Sequence, residues 1–77
     1  MNKQNANVIV YVRHHVEQDK IMRLSDIVSN MRGVVQSHVS NWRKSMFSVD
    51  YDPNTVKSKE ILKLVKSQGY SAVLVGM

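Results

Sequence analysis

Val8-Ile9-Val10-Tyr11-Val12-Arg13 runs directly into His14-His15-Val16-Glu17-Gln18-Asp19-Lys20 and then into Ile21-Met22-Arg23-Leu24. The first segment is beta-branched and aromatic, with Val8, Val10 and Val12 on one face and Ile9, Tyr11 and Arg13 on the other, which is the period of a strand. Beyond the polar segment, Ile21, Leu24, Val28 and Met31 recur at spacings of three, four and three, the stripe of an amphipathic helix. Asp19 is placed to cap its first turn, and Gly33 to end it. A strand, a short polar loop and a helix therefore open the fold.

Outward from this stretch, Met1 to Ala6 are polar and without periodicity, and read as a loose tail. Val35 to Asn41 alternates Val35, Ser37 and Val39 against Gln36, His38 and Ser40 as a second strand. A polar turn, Trp42-Arg43-Lys44-Ser45, leads to a third strand in which Phe47, Val49 and Tyr51 share one face, so these two strands form an antiparallel hairpin. Asp52-Pro53-Asn54 is a strong stop, because Pro fixes its own φ and Asp and Asn bond back to nearby backbone groups. Ser58 can cap a second helix with Ile61, Leu62 and Val65 on its apolar face, and Gln68-Gly69 ends it. Ala72 to Val75 makes a short last strand. The order strand, helix, strand, strand, helix, strand, joined by right-handed crossovers, predicts an α+β fold. It is the ferredoxin-like βαββαβ sandwich, a four-stranded antiparallel sheet with two helices on one face.

At 77 residues the chain reads as one domain, residues 1–77, with room for a single small core. Its 11 Lys and Arg against 6 Asp and Glu give a formal charge of +5, which favours acidic partners. The longest apolar run, Val8 to Val12, falls far short of the roughly 20 residues that cross a bilayer, and no small-residue cleavage site follows it. The expectation is a soluble, cytoplasmic protein that does not insert into membranes. With no cysteine, disulfides, thiolate metal sites and thiol catalysis are excluded. Neither paired carboxylates nor a Gly-rich phosphate loop is present, and the chain reads as non-enzymatic.

The pattern resembles the heavy-metal-associated domain of copper chaperones and of the N-terminal modules of metal-pumping ATPases. Gly33-Val34 is similar to that family's Gly-Val pair after the first helix. Val49-Asp50-Tyr51-Asp52-Pro53 looks like its third-strand ending, and Ile61 through Gly69-Tyr70 resembles its second helix and closing Gly-Tyr. The resemblance spans nearly the whole chain and implies metal handling. It breaks at the metal motif. Spacing back from Gly33 puts the family's Gly-Met pair at His14-His15 and its two cysteines at Glu17 and Lys20. Soft Cu(I) prefers sulfur, so binding of Cu(I) by a thiolate pair is excluded here.

The loop nevertheless offers His14, His15, Glu17 and Asp19, nitrogen and oxygen donors suited in type to a divalent transition metal such as Zn, Ni, Cu(II) or Co. Adjacent residues of an extended segment point to opposite sides, so the two histidines converge on one ion only if the loop turns sharply between them. Against this stands a plainer account: His15 corresponds to a family methionine that packs inward, and Glu17 with Lys20 and Asp19 with Arg23 have the spacing of solvated helix ion pairs. A second reading is a protein-interaction module that has lost metal binding. Arg13, Lys20 and Arg23 would then face an acidic protein surface, or Ile9, Tyr11 and Val73 on the open sheet face would support self-association. An RNA-binding module also uses this sandwich, but it needs stacking aromatics on the open strands. Here Ser48 and Asp50 point outward while Phe47 and Tyr51 take the core parity, so the sequence argues against nucleic acid.

Overall fold

A computed structural model describes residues 5–14, 16–39 and 45–75. The elements are β1 (Ala6–Val12), α1 (Gln18–Ser29), β2 (Val34–Val39), β3 (Met46–Tyr51), α2 (Ser58–Ser67) and β4 (Ala72–Val75). Together they form the expected βαββαβ sandwich, with one antiparallel sheet in the order β2-β3-β1-β4.

The alternation in β1 decides the layering. Val8, Val10 and Val12 are wholly buried, and the register sets β1 between β3 and β4, with Val8 opposite Val49, Val10 opposite Phe47 and Leu74, and Val12 opposite Ala72. Ile21, Leu24 and Val28 from α1 and Ile61 and Val65 from α2 close over this face and complete one core with Phe47, Val49, Tyr51 and Val56. Burial of such side chains, at about 1.5–3 kcal/mol each, is the main force holding a chain of this size together. Among the described residues, none of the helices covers the opposite sheet face.

Several boundaries differ from the sequence expectation, each for a local reason. The first strand begins at Ala6, which pairs with Tyr51, so the last residue of the expected tail belongs to the sheet. In β2 the register shifts between Val34 and Gln36, which makes Val35 an extra residue. Val34 thereby takes the core side, Val35 is 55% exposed, and the inward parity resumes at Ser37 and Val39. Simple alternation had put Val35 on the same face as Ser37 and Val39. Residues 40–44, which hold the end of the expected second strand and all of the expected turn but Ser45, lie outside the described residues.

The caps also shift by one or two positions. Glu17, not Asp19, stands at the start of α1, and its side chain makes no capping bond; Asp19 falls within the first turn. The Glu17 carbonyl accepts from the Lys20 and Ile21 N–H groups at 3.0 and 3.1 Å. Likewise Lys57 precedes α2, with the Glu60 carboxylate accepting its backbone N–H at 3.3 Å, and Ser58 is the first helical residue. Asp52 makes the expected stop: its carboxylate accepts from the Asn54 N–H at 2.9 Å and from the Thr55 hydroxyl at 3.1 Å.

Candidate functional site

The loop between β1 and α1 leaves the sheet next to the start of β4, where the Arg13 N–H donates to the Ser71 carbonyl at 2.7 Å. Val16 is half-buried and packs on the core, so the loop is pinned at both ends. Between these anchors His14 is exposed and has φ 69, in the left-handed region. A residue with a Cβ is disfavoured there by roughly 1–2 kcal/mol, which is why glycine is usual in such places. His14 stands where the resemblance places the glycine of a Gly-Met pair. The chain places an imidazole on this left-handed backbone.

The other expected ligands are only partly brought together. Glu17 is exposed at the start of α1 and Asp19 is exposed in its first turn. His15 lies outside the described residues, and the part of the ligand set that rests on it lies there too. Among the described residues, no three His, Asp or Glu side chains gather closely enough to hold an ion. The copper site implied by the resemblance does not fit this chain, because it requires two thiolates and the sequence has none.

Of the cations expected to meet a partner, Arg13, Lys20 and Arg23 are all exposed. Lys20 and Arg23 border a cleft with Leu24, Ile27, Gln68 and Tyr70, and Arg13 does not. The contributions of Gln68 and Tyr70 were not read from the sequence, although the Gly69-Tyr70 pair was the signal: Gly69 has φ +93 and turns the chain from α2 toward β4 beside α1.

On the open sheet face the register sets Tyr11 opposite Met46 and Val73, and Ile9 opposite Val75 and Ser48. The apolar residues Ile9, Tyr11 and Val73 are thus joined by Met46 and Val75. The other half of this face is polar. Asp50 accepts a hydrogen bond from the Gln36 amide at 2.8 Å and another from the Asn7 amide. The Gln36 bond, then the Asn7 bond, hold its carboxyl below the usual carboxylate range against the opposing effect of partial burial, with a smaller contribution from His38. His38 is exposed on β2 across from Ser48. Among the described residues, no helix is long and apolar enough to cross a membrane.

No protein-family model matches the sequence, and no curated protein matches it. Solved structures do. A crystal structure of a copper-binding domain from HMA7, a P-type ATPase, is 20% identical with a TM-score of 0.80, covering 95% of this chain and 96% of that one. A solution structure of the copper form of a Ser-to-Val variant of CopA from Bacillus subtilis is 22% identical with a TM-score of 0.77 over the full length of both chains. The CsoZ metallochaperone is 21% identical with a TM-score of 0.73, covering 91% of this chain and 99% of that one. The chain therefore has the ferredoxin-like fold of these copper-binding and metallochaperone structures, and its sequence contains no cysteine.

Proposed function

We propose that the chain is a non-enzymatic, cytoplasmic metal-handling protein whose cargo is a divalent transition ion held at a cysteine-free loop. The observation that carries this reading is His14, exposed at φ 69 in the loop between β1 and α1. A strained, solvent-facing imidazole in place of glycine is consistent with a role for its ring nitrogens. The similar folds described as copper-binding domains and a metallochaperone support metal handling as the broad function. His14 and His15 would supply nitrogen, and Glu17 and Asp19 oxygen, a donor set for Zn, Ni, Co or Cu(II).

Amide NMR spectra of the wild type and of His14→Ala/His15→Ala, titrated with Zn(II), Ni(II), Cu(II) and Cu(I), test this. Saturable shifts confined to residues 14–23 with a divalent ion, lost in the double variant, are expected. No saturable shift with any ion would sink the reading.

A protein-interaction module is the second reading, favoured by the exposure of Arg13, Lys20 and Arg23 around a loop whose described residues gather no three ligands. The partner would be an acidic protein surface or, through Ile9, Tyr11 and Val73, a second copy. Sedimentation at high micromolar concentration decides the latter, since a monomer there rules out self-association.

A further inference from the structure

Where α1 passes the turn between α2 and β4, Lys20, Arg23, Leu24, Ile27, Gln68 and Tyr70 line a cleft of about 210 Å3. Lys20 and Arg23 are three residues apart on α1, so their cations project from the same helix face. None of the six lining residues is acidic. Glu17, Asp19 and Asp26 lie at the cap or along the same helix and compete for these cations only from outside the cleft. Leu24 is buried, and Ile27 and Tyr70 are half-buried, which gives the cleft an apolar floor, while Gln68 adds an amide at the rim.

Two cations and an amide over an apolar floor match a particular ligand chemistry. A guanidinium meets a carboxylate through two parallel hydrogen bonds, and an ammonium adds a point charge beside it. Leucine, isoleucine and a tyrosine ring then offer a surface on which a compact ring or hydrocarbon loses its water. An inorganic anion would use the cations but not the floor. A neutral ring would use the floor and leave both charges without a partner.

We propose that this cleft binds a small organic carboxylate, with the carboxylate between Lys20 and Arg23 and an aromatic or compact apolar body against Leu24, Ile27 and Tyr70. The site is separate from the described part of the metal loop, since His14, Glu17 and Asp19 do not line it. Loss of ion binding would leave it intact, and its own failure would leave the metal reading standing.

Amide NMR titrations at low ionic strength provide the test, with benzoate as the probe and benzamide, inorganic phosphate and N-acetyl-glutamate amide as comparisons. Benzoate is expected to give saturable shifts at residues 20–27 and 68–70, weakened by salt. The neutral amide, the bare anion and the acidic side chain without an apolar body are each expected to bind about tenfold more weakly or worse. Arg23→Gln and Lys20→Gln should each weaken benzoate by about tenfold with the rest of the spectrum unchanged, since both residues are exposed. Equal binding of phosphate would reduce the cleft to a general anion patch and overturn the proposal. Equal binding of N-acetyl-glutamate amide would assign it to acidic side chains of a protein partner, and would overturn it as well. Shifts that do not saturate, or that both variants retain, would do the same.

Discussion

At Gly33 the backbone has φ +96, and a Cβ would come within 2.9 Å of both Thr55 Cγ2 and Val56 Cγ1. Gly69 has nearly the same conformation, φ +93, with nothing within 4 Å of the added atom. Two glycines with equal backbone demands thus differ only in space. Gly69→Ala is expected to cost about 1 kcal/mol, the conformational penalty alone. Gly33→Ala adds a clash with the chain before α2 and is expected to cost about 2 kcal/mol or more. Urea midpoints of the two variants check the order, and equal losses would contradict it. Asp50 gives a second prediction at this scale. Its folded carboxyl is held low by Gln36 and then Asn7. A depressed folded value means that the carboxylate favours the native state above the ordinary Asp pKa, and that this contribution is lost as pH falls through the native value. Gln36→Ala is therefore expected to raise the Asp50 pKa and to shrink the loss of stability on acidification. A carboxyl carbon titration by NMR reads this directly, and an unchanged pKa would show that the Gln36 bond is absent in solution.

At the scale of elements, the first turn of α1 carries the break with the heavy-metal-associated pattern. Glu17 stands at the start of this helix and Lys20 one turn on, the two places where the resemblance puts thiolates. If that register holds, Glu17→Cys/Lys20→Cys restores a thiolate pair at a helix N-terminus, where the helix dipole favours negative charge. The double variant is expected to bind about one Cu(I) per chain, as two-coordinate thiolate chemistry requires, where the wild type has no thiolate to bind it. Competition with a Cu(I) chelator measures it; no gain over the wild type would mean that these positions do not converge. The elements themselves were largely legible. The alternation of Val8, Val10 and Val12 and the stripe Ile21, Leu24 and Val28 fixed strand and helix because burial follows backbone period. Val35 was misplaced because a bulge adds one residue, and no residue type around it marks the extra step. Asp19 and Ser58 were misplaced as caps because a helix start depends on backbone dihedrals that good capping residues favour without dictating.

For the whole molecule, the order of six elements sufficed to predict a four-stranded antiparallel sheet with both helices on one face, since few topologies join such a sequence with right-handed crossovers; the strand order β2-β3-β1-β4 came from the structure. The site was less legible for a physical reason. Residue types at the loop state which donors exist, but convergence depends on local dihedrals such as the φ of 69 at His14, which a histidine does not announce. The cleft of Lys20, Arg23 and Tyr70 escaped for a related reason: its walls come from α1 and from the turn after α2, about 50 residues away along the chain. Metal handling at a loop without sulfur is the central claim. Equilibrium dialysis tests it most directly, with the wild type and His14→Ala/His15→Ala held against equal concentrations of Zn(II), Ni(II), Co(II) and Cu(II), followed by elemental analysis. About one divalent ion per wild-type chain, released in the double variant, is the expected result for a site of this donor type. No ion retained above the buffer level, or equal retention by both proteins, would contradict it.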